Sequence, residues 1–280
     1  MAKTVSVVVP SFNQGCFLPE TLESLLAQED PALEILVVDG GSNDETPQVL
    51  ERYRSRLTVA ISEPDAGQSD AINKGFARAR GEWLAWLNSD DLLQPGATRA
   101  LRAAAAADPG GRWFAGGGSF IDERSRTLST YSAPGRRLEA RDLVPWTSTW
   151  FGQPGTFFRR DLFEAAGGAV RTDLRYAMDL DLWLRLGRIA PLNPIAHPMG
   201  CYRLHGGSKT VAERHRMECE VVQVLWEQMG MEAALSRVSL LAEAHFEMEA
   251  RMQRLGRDLR SPLGWLRILR RRLRSRFTSS

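Results

Sequence analysis

Four short apolar runs, separated by segments with apolar residues at helical spacing, constrain the fold of this 280-residue chain more than any other feature. A short run that is apolar at nearly every position is typical of a parallel strand buried on both faces. Parallel neighbours need a crossover, and a helix usually supplies it. The first half therefore predicts a Rossmann-like βαβαβαβ unit, with strands at 6–10, 34–39, 57–62 and 83–87 and helices at 19–28, 45–53 and 69–79.

The pattern changes after a helix predicted at 97–107. Gly-rich and mixed segments follow, and we expect them to extend the sheet. From about Val211 the sequence is helical nearly throughout, so we divide the chain into an α/β domain at 1–210, a helical extension at 211–260 and a basic helix at 261–280. The further predicted strands are 112–115, 119–122, 127–131, 156–158 and one near 201–204, and the further helices are 160–166 and 179–186.

The charge of the chain is unevenly distributed. The net charge is only +2, but ten arginines and one acid follow residue 250, so that tail carries +9 and residues 1–250 about −7. Cys16, Cys201 and Cys219 lack any C-x-x-C spacing, which argues against a disulfide framework or a structural zinc site. No apolar run reaches the roughly 18 residues of a membrane span. We therefore expect a cytoplasmic protein, attached at most peripherally to the cytoplasmic face of a membrane.

Two acids without a basic neighbour, Asp90 and Asp91, follow the fourth predicted strand. In open α/β sheets, ligands bind outside the carboxyl ends of the strands, and carboxylate oxygens there suit a hard divalent ion such as Mg2+ or Mn2+. The alternative is structural, because Asp90 and Asp91 could cap the next helix, with Pro95 near its first turn.

Polar residues also follow the first two strands, so the three strand ends should converge on one crevice. Asp39 precedes two glycines that let a ligand approach the backbone, which suits hydrogen bonding to a nucleobase or a ribose. An Asx turn at Asp39 explains the same pattern equally well. No G-x-G-x-x-G or Walker sequence follows any strand, which argues against nicotinamide-binding and P-loop proteins.

Seven segments in order resemble the family 2 glycosyltransferases, which have the GT-A fold and use nucleotide-diphosphate sugars. The resemblance implies an α/β protein with a Rossmann-like, mixed and mostly parallel sheet flanked by helices. The segments together span about residues 4–210; they are 7–13, 37–46, 65–75, 81–91, 153–158, 176–183 and 202–209.

The resemblance also implies roles for single residues. Asp39 corresponds to the residue that binds the base, and Asp90 to the metal ligand of the D-x-D motif, whose first Asp is Asn88 here. Ile72 stands where many relatives have Arg, so Lys74 becomes the candidate for that contact. The implied nucleotide-binding residues are Pro10, Ser11, Asn13, Asp39, Asp65, Lys74, Asn88 and Ser89.

The segment 178–183 resembles the family's E-D-Y-D-L-W segment, which makes Asp179 the catalytic base and leaves Met178 in place of an acid. An N-cap for the following helix is the structural alternative for Asp179. On a helix, Asp181 points about 200° away from Asp179, so we expect it to brace the helix or contact another loop, and it is also a candidate for contact with the acceptor. Gln153 is the second acceptor candidate, since the aromatic residues before it, Trp146, Trp150 and Phe151, either stack on a sugar or pack in the core.

His205 follows a predicted strand and precedes a glycine pair, in a region that closes over the diphosphate in related enzymes. It is a candidate metal or phosphate ligand, with Arg203 and Lys209 as candidates for neutralising phosphate charge. An ordinary polar histidine is the alternative. The other three histidines have no such context.

The last segment, Pro262–Phe277, has an apolar stripe with arginines around it, a pattern typical of an in-plane helix on an anionic membrane. Packing against the domain or a partner is the alternative, and nucleic acid binding is disfavoured because acids dominate the body.

We therefore expect an inverting, Mn2+- or Mg2+-dependent glycosyltransferase that moves a sugar, from a UDP-sugar by preference, to a saccharide or lipid-linked acceptor in cell-surface polysaccharide or glycolipid assembly. A non-catalytic nucleotide-sugar-binding or scaffold protein is one alternative. A glycoside hydrolase is another, although it needs no nucleotide pocket.

Overall fold

A single sheet of nine strands runs through the residues that the computed structural model describes, which are 4–144, 151–207 and 213–259. The strand order is β3-β2-β1-β4-β8-β6-β9-β5, and β7 pairs with β6. The strands are β1 Val5–Ser11, β2 Leu33–Asp39, β3 Val59–Ser62, β4 Trp83–Trp86, β5 Leu92–Leu93, β6 Trp113–Ile121, β7 Thr127–Tyr131, β8 Thr156–Arg159 and β9 Asn193–Arg203.

The first four long strands are parallel, as the alternating pattern predicts. In the register, Val5 of β1 lies beside Leu33 of β2 and Trp83 of β4. Strand β8 is antiparallel to β4 and reverses the direction, while β6 and β9 return to that of β1. Six of the nine strands thus share one direction. The expected mixed, mostly parallel α/β sheet is confirmed.

One continuous strand, β6, replaces the two strands predicted at 112–115 and 119–122. The run Gly116–Gly118 suggested a break, but here it allows close packing. A Cβ at Gly116 would overlap the side chain of Met199, and one at Gly118 would overlap the carbonyl oxygen of Gly200. Glycine therefore lets β9 lie against β6, and β9 begins well before the strand predicted near 201–204.

The helices lie on both faces of the sheet and match the predicted ones within a few residues at each end. Residues 214–259 form a pair of long helices in the region that the sequence predicts as a helical extension. The helices are α1 Leu18–Leu26, α2 Thr46–Tyr53, α3 Gln68–Phe76, α4 Ala97–Ala107, α5 Arg160–Ala165, α6 Met178–Gly187, α7 Arg214–Met229 and α8 Met231–Leu259.

Two apolar clusters cover the two faces of the sheet. One contains side chains of α1, α2 and α4, and the other contains side chains of α3, α5, α6 and α7. Trp183 of α6 is the centre of the second cluster, because its ring stacks on Trp86 at 5.2 Å and on Trp113 at 5.5 Å. This aromatic stack attaches α6 to β4 and β6.

Within the part of the chain that is described, no helix combines the length and apolar character needed to cross a bilayer. The predicted membrane-surface segment at 262–277 lies outside the described residues, as does the predicted boundary at 260/261.

We expect Trp183→Ala to lower the free energy of unfolding by about 3–5 kcal/mol, because it leaves a large cavity between α6 and the sheet. Trp226→Ala is the matched control, since Trp226 on α7 is 57% exposed, and it should cost less than about 1 kcal/mol. Urea denaturation monitored by far-UV circular dichroism measures both values. Equal losses would mean that the stack does not anchor α6.

Candidate functional site

The loops that follow β1 and β2 are joined by direct hydrogen bonds. The Asn13 N–H donates to Ser42 Oγ at 2.7 Å, and the Asn43 N–H donates to Asn13 Oδ1 at 2.9 Å. Asn13 has φ of +52°, an uncommon conformation that brings its amide to Asn43. The ends of β1 and β2 therefore converge, as predicted. Pro10, near the end of β1, lies opposite Val38 of β2.

Asp39 is fully buried at the end of β2. Its carboxylate accepts hydrogen bonds from the Ser42 N–H at 3.1 Å, from the Ser42 hydroxyl, and from the Ser62 hydroxyl at 2.7 Å. The bond from the Ser42 N–H is the kind expected for a turn at Asp39, the alternative given above to nucleotide binding. A nucleobase that bound Asp39 would share its carboxylate with these two serines.

Ser11 and Asp65 flank Asp39. The Ser11 hydroxyl is buried and has no hydrogen-bond partner among the described residues. A buried hydroxyl without a partner is costly, which favours a ligand group near it. The Asp65 carboxylate accepts the Gly67 N–H at 2.8 Å and lies close to Gly40, where a Cβ would be 2.7 Å from Asp65 Oδ2.

The Lys74 ammonium forms ion pairs with two acidic side chains. It lies 3.1 Å from Glu63 and 3.3 Å from Asp70 and also donates to the Pro64 carbonyl. It thus holds the segment that leads to Asp65.

Sequence reasoning missed Phe12, whose ring is 61% exposed between Ser11 and Asn13. A large exposed aromatic ring beside an unpartnered buried hydroxyl is a natural stacking surface for a planar ligand. Its place in the 7–13 segment was the available signal.

Asn88 forms hydrogen bonds to both Asp91 and Gln68. Its Nδ2 donates to Asp91 Oδ2 at 3.1 Å, and its Oδ1 accepts from Gln68 Nε2 at 2.7 Å. Burial and the charge of Asp90 raise the pKa of Asp91 well above its ordinary value. An Asp at position 88 would place another negative charge next to Asp91, whereas the neutral Asn88 donates a hydrogen bond to it. This is a physical reason for the departure from D-x-D. Gln68 was also missed, although it lies in the 65–75 segment.

Asp90 and His205 are brought together although they are far apart in sequence. Asp90 Oδ2 and His205 Nε2 are 2.9 Å apart, and their side chains are 17% and 8% exposed. The His205 ring packs on Phe17, with centroids 4.8 Å apart. The neighbouring Ser89 is buried, and its carbonyl accepts the Thr21 hydroxyl at 2.9 Å. The metal candidates thus share a partly accessible position.

The described residues contain no group of three or more His, Cys, Asp and Glu side chains suited to a metal ion. Mg2+ sites, however, commonly use one or two protein carboxylates and complete their shell with water and substrate phosphates. Mn2+ accepts both carboxylate and imidazole ligands. Asp90 and His205 therefore fit an ion that a phosphorylated ligand helps to coordinate.

Arg203 has a different position from the predicted phosphate ligand. Its guanidinium is fully buried and donates to the Asp90 carbonyl at 2.6 Å, to Glu20 at 2.7 Å, to the Asp122 carbonyl at 3.1 Å and to Ser125 Oγ at 2.9 Å. All of these groups belong to the protein. Arg203 therefore fixes the loop that contains Asp90 from its buried side. Lys209 lies outside the described residues.

Asp179 lies in the first turn of α6, after the N-cap residue Ala177, so it is not the N-cap itself. Burial raises the pKa of Asp179 to about 6. Its Oδ1 accepts the Leu180 N–H at 2.8 Å, and no basic side chain pairs with it in the described part of the chain. Trp183, one helical turn later on the same face, stacks on Trp86, which directly precedes the loop of Asn88.

The two acceptor candidates are both buried. Asp181 accepts from Arg185 Nε and Gln228 Nε2, each at 2.8 Å, and thus braces the helix, the first of its two predicted roles. Gln153 donates to the Trp86 carbonyl at 2.7 Å, while its Oε1 lacks a partner among the described residues. Phe151 packs in the core, whereas Trp146 and Trp150 lie outside the described residues.

Comparison with known families gives one match, in which the model for glycosyl transferase family 2 covers residues 6–167. The uncharacterized glycosyltransferase RC0461 of Rickettsia conorii is 28% identical over 227 residues, which are 78% of this chain and 37% of that protein. This chain thus spans little more than a third of that relative's length.

Solved structures share the fold at low sequence identity. Residues 1–349 of Staphylococcus aureus TarS, in complex with UDP-GlcNAc, superpose with a TM-score of 0.62 at 18% identity over 83% of this chain and 69% of that one. The mannosyltransferase PcManGT of Pyrobaculum calidifontis, in complex with GDP-Man and Mn2+, gives 0.58 at 19% identity over 88% and 76%. The expected GT-A type of fold is confirmed.

We expect Arg203→Met to lower the free energy of unfolding by about 3 kcal/mol, because it removes the donor shared by the Asp90 and Asp122 carbonyls and leaves the Glu20 carboxylate without its guanidinium partner. Arg54→Met is the control, since the Arg54 side chain is 69% exposed in its ion pair with Glu51, and it should change stability by less than about 0.5 kcal/mol. Chemical denaturation compares the two variants. Similar small losses would show that Arg203 is not a structural clamp.

Proposed function

The chain belongs to glycosyl transferase family 2, and we propose that it transfers a sugar from a nucleotide-diphosphate sugar to an acceptor hydroxyl. The observation that carries the proposal is the Asp90–His205 pair, 2.9 Å apart, beside strand ends that carry Ser11 and Asp39. In sheets of this kind, ligands bind at the carboxyl ends of the strands.

The nucleotide end of the donor would lie over the loops after β1 and β2. Phe12 offers an exposed ring for stacking on the base, and the buried Ser11 hydroxyl offers an unused hydrogen bond. Asp39 and Asp65 line the same region, and Asp39 would share its carboxylate between its serine partners and the base or ribose. We favour UDP as the nucleotide, in line with the UDP-GlcNAc complex of TarS, although PcManGT binds GDP-Man.

Asp90 and His205 would hold Mn2+ or Mg2+, and PcManGT contains Mn2+ with its donor. When bound, such an ion neutralises charge on the departing diphosphate. The protein contributes the positions of these two side chains. Arg203 fixes that of Asp90 by donating to its carbonyl at 2.6 Å.

Asp179 would act as the general base. It accepts the proton of the acceptor hydroxyl while that oxygen forms a bond to the anomeric carbon and the bond to the diphosphate oxygen breaks. A single in-line displacement of this kind inverts the anomeric configuration. A pKa of about 6 keeps Asp179 ionised at neutral pH and still basic enough to accept the proton.

The acceptor in this proposal is a saccharide or a lipid-linked sugar, as in cell-surface polysaccharide or glycolipid assembly. The basic amphipathic pattern at 262–277 supports peripheral contact with an anionic membrane, where such acceptors reside. A non-catalytic nucleotide-sugar-binding protein is the alternative. It would bind the donor without ever releasing free sugar or product, so a transfer or donor-hydrolysis assay separates the two.

The first test concerns the metal pair. We expect Mn2+ to tighten UDP binding to the wild-type protein, and we expect Asp90→Ala and His205→Ala each to weaken Mn2+ affinity by about 10- to 100-fold or more. Titration calorimetry with UDP, with and without Mn2+, measures the effect.

His197→Ala is the matched histidine control, because His197 contacts the Pro95 carbonyl at 2.8 Å and neither residue of the pair. An undiminished Mn2+ effect in Asp90→Ala would remove the pair from the donor site.

The second test concerns the base. Only the ionised Asp179 accepts a proton, and its pKa is raised to about 6, so kcat/KM should fall about tenfold per pH unit below pH 6 and level off above it. Asp179→Asn should lower kcat by about 10²- to 10⁴-fold and remove this acid limb.

Asp161→Asn is the control for the pH profile, because Asp161 also lies in the first turn of a helix, α5, but is half exposed and paired with Arg159. Its profile should match that of the wild type. An acid limb that persists in Asp179→Asn would assign the base to another group.

A further inference from the structure

Three consecutive backbone N–H groups directly before α6 converge on one carboxylate of α7. The Arg175 N–H lies 3.0 and 3.1 Å from the two oxygens of Glu220, and the N–H groups of Tyr176 and Ala177 donate to Glu220 Oε2 at 2.7 and 3.0 Å. The Ala177 N–H belongs to the N-cap residue of α6 and is one of the groups at a helix start without a partner inside the helix, while Arg175 and Tyr176 lie just before it.

Within α6 itself, Asp179 Oδ1 accepts the Leu180 N–H, but the N-cap residue contributes no acceptor side chain. That residue is Ala177, which has no side-chain hydrogen bond to offer. Glu220 therefore acts as a cap from a neighbouring helix, and its negative charge also suits the positive end of the α6 dipole. Loss of an N-terminal cap lets the first turn of a helix fray.

Helix α7 is itself held against α6 on both sides of Glu220. Its apolar residues Val221, Val224 and Leu225 belong to the same buried cluster as Met178 and Leu182 of α6. Polar contacts lie towards its two ends, where Glu213 accepts the Tyr176 hydroxyl at 2.7 Å and Gln228 Nε2 donates to Asp181 at 2.8 Å. The Glu220 carboxylate thus projects from a rigid support.

The first turn that Glu220 caps carries Asp179, two residues after Ala177. We propose that Glu220 is a positioning residue for Asp179, so that helix α7 belongs to the catalytic unit; this rests on the proposed role of Asp179 as the base. Glu220 acts on the backbone alone and does not touch the substrate. A displacement of the base by about 1 Å can lower the rate about 10²-fold, so the cap controls turnover more than donor binding.

The matched experiment replaces two glutamates of α7. In Glu220→Met, the side chain keeps about its length but has no oxygen to accept from the N–H groups of 175–177, and we expect kcat to fall about 10- to 100-fold with the donor KM changed less than about twofold. Glu227→Met is the control, because Glu227 pairs with the Arg171 side chain and does not contact this backbone. It should leave both constants within about twofold of the wild type.

A double-mutant comparison separates positioning from a general loss of structure. If Glu220 acts through Asp179, then adding Glu220→Met to Asp179→Asn lowers the residual transfer rate less than about twofold. A further 10- to 100-fold loss in the Asp179→Asn background would overturn the proposal, because the effect would then not pass through the base.

Amide hydrogen exchange provides a readout that is independent of activity. In the wild type, the amides of 175–177 should exchange at least about 10-fold more slowly than unprotected loop amides, and in Glu220→Met this protection should be lost. Unprotected amides in the wild type would refute the cap, and this result does not depend on whether Glu220→Met folds. A protected cap in a wild type without transferase activity would instead refute the proposed function.

Discussion

The buried guanidinium of Arg203 is the interaction on which the candidate site depends. Burying this charge is unfavourable unless each of its N–H groups finds an acceptor, and the acceptors come from α1, from the 90–91 loop and from the loop at 122–125. A planar fork of donors can join several segments at fixed angles, which a lysine cannot. Asp90 receives its position in this way through its carbonyl, which leaves its carboxylate available for His205.

The acids of the site divide into two groups according to their partners. Asp91 and Asp181 are buried, and their oxygens are taken up by protein donors, so they fix geometry. Asp90 and Asp179 are partly accessible and have no lysine or arginine beside the carboxylate among their described contacts, so they retain capacity for a cation or a proton. A carboxylate with spare capacity is what chemistry at a pyrophosphate and a hydroxyl requires.

Sequence alone could predict the parallel half of the sheet, because burial on both faces leaves a local, nearly uninterrupted apolar pattern. It could also find Asp90 and His205, since the end of a strand determines where a side chain emerges. It could not predict β6 through Gly116–Gly118, because those glycines serve partners such as Gly200 that are distant in sequence. For the same reason the basic pattern around Arg203 suggested a phosphate ligand, while its direction is set by Glu20 and Ser125.

The predicted boundary at 210/211 separates the family-like segments from the helices, yet hydrogen bonds and apolar contacts cross it. The backbone N–H groups of 175–177, directly before α6, need an acceptor that the side chain of Ala177 cannot supply. The carboxylate of Glu220 supplies it, at a point where α7 already shares a core with α6. Removing the helices after 210 would therefore expose that core and leave the N–H groups of 175–177 without this acceptor.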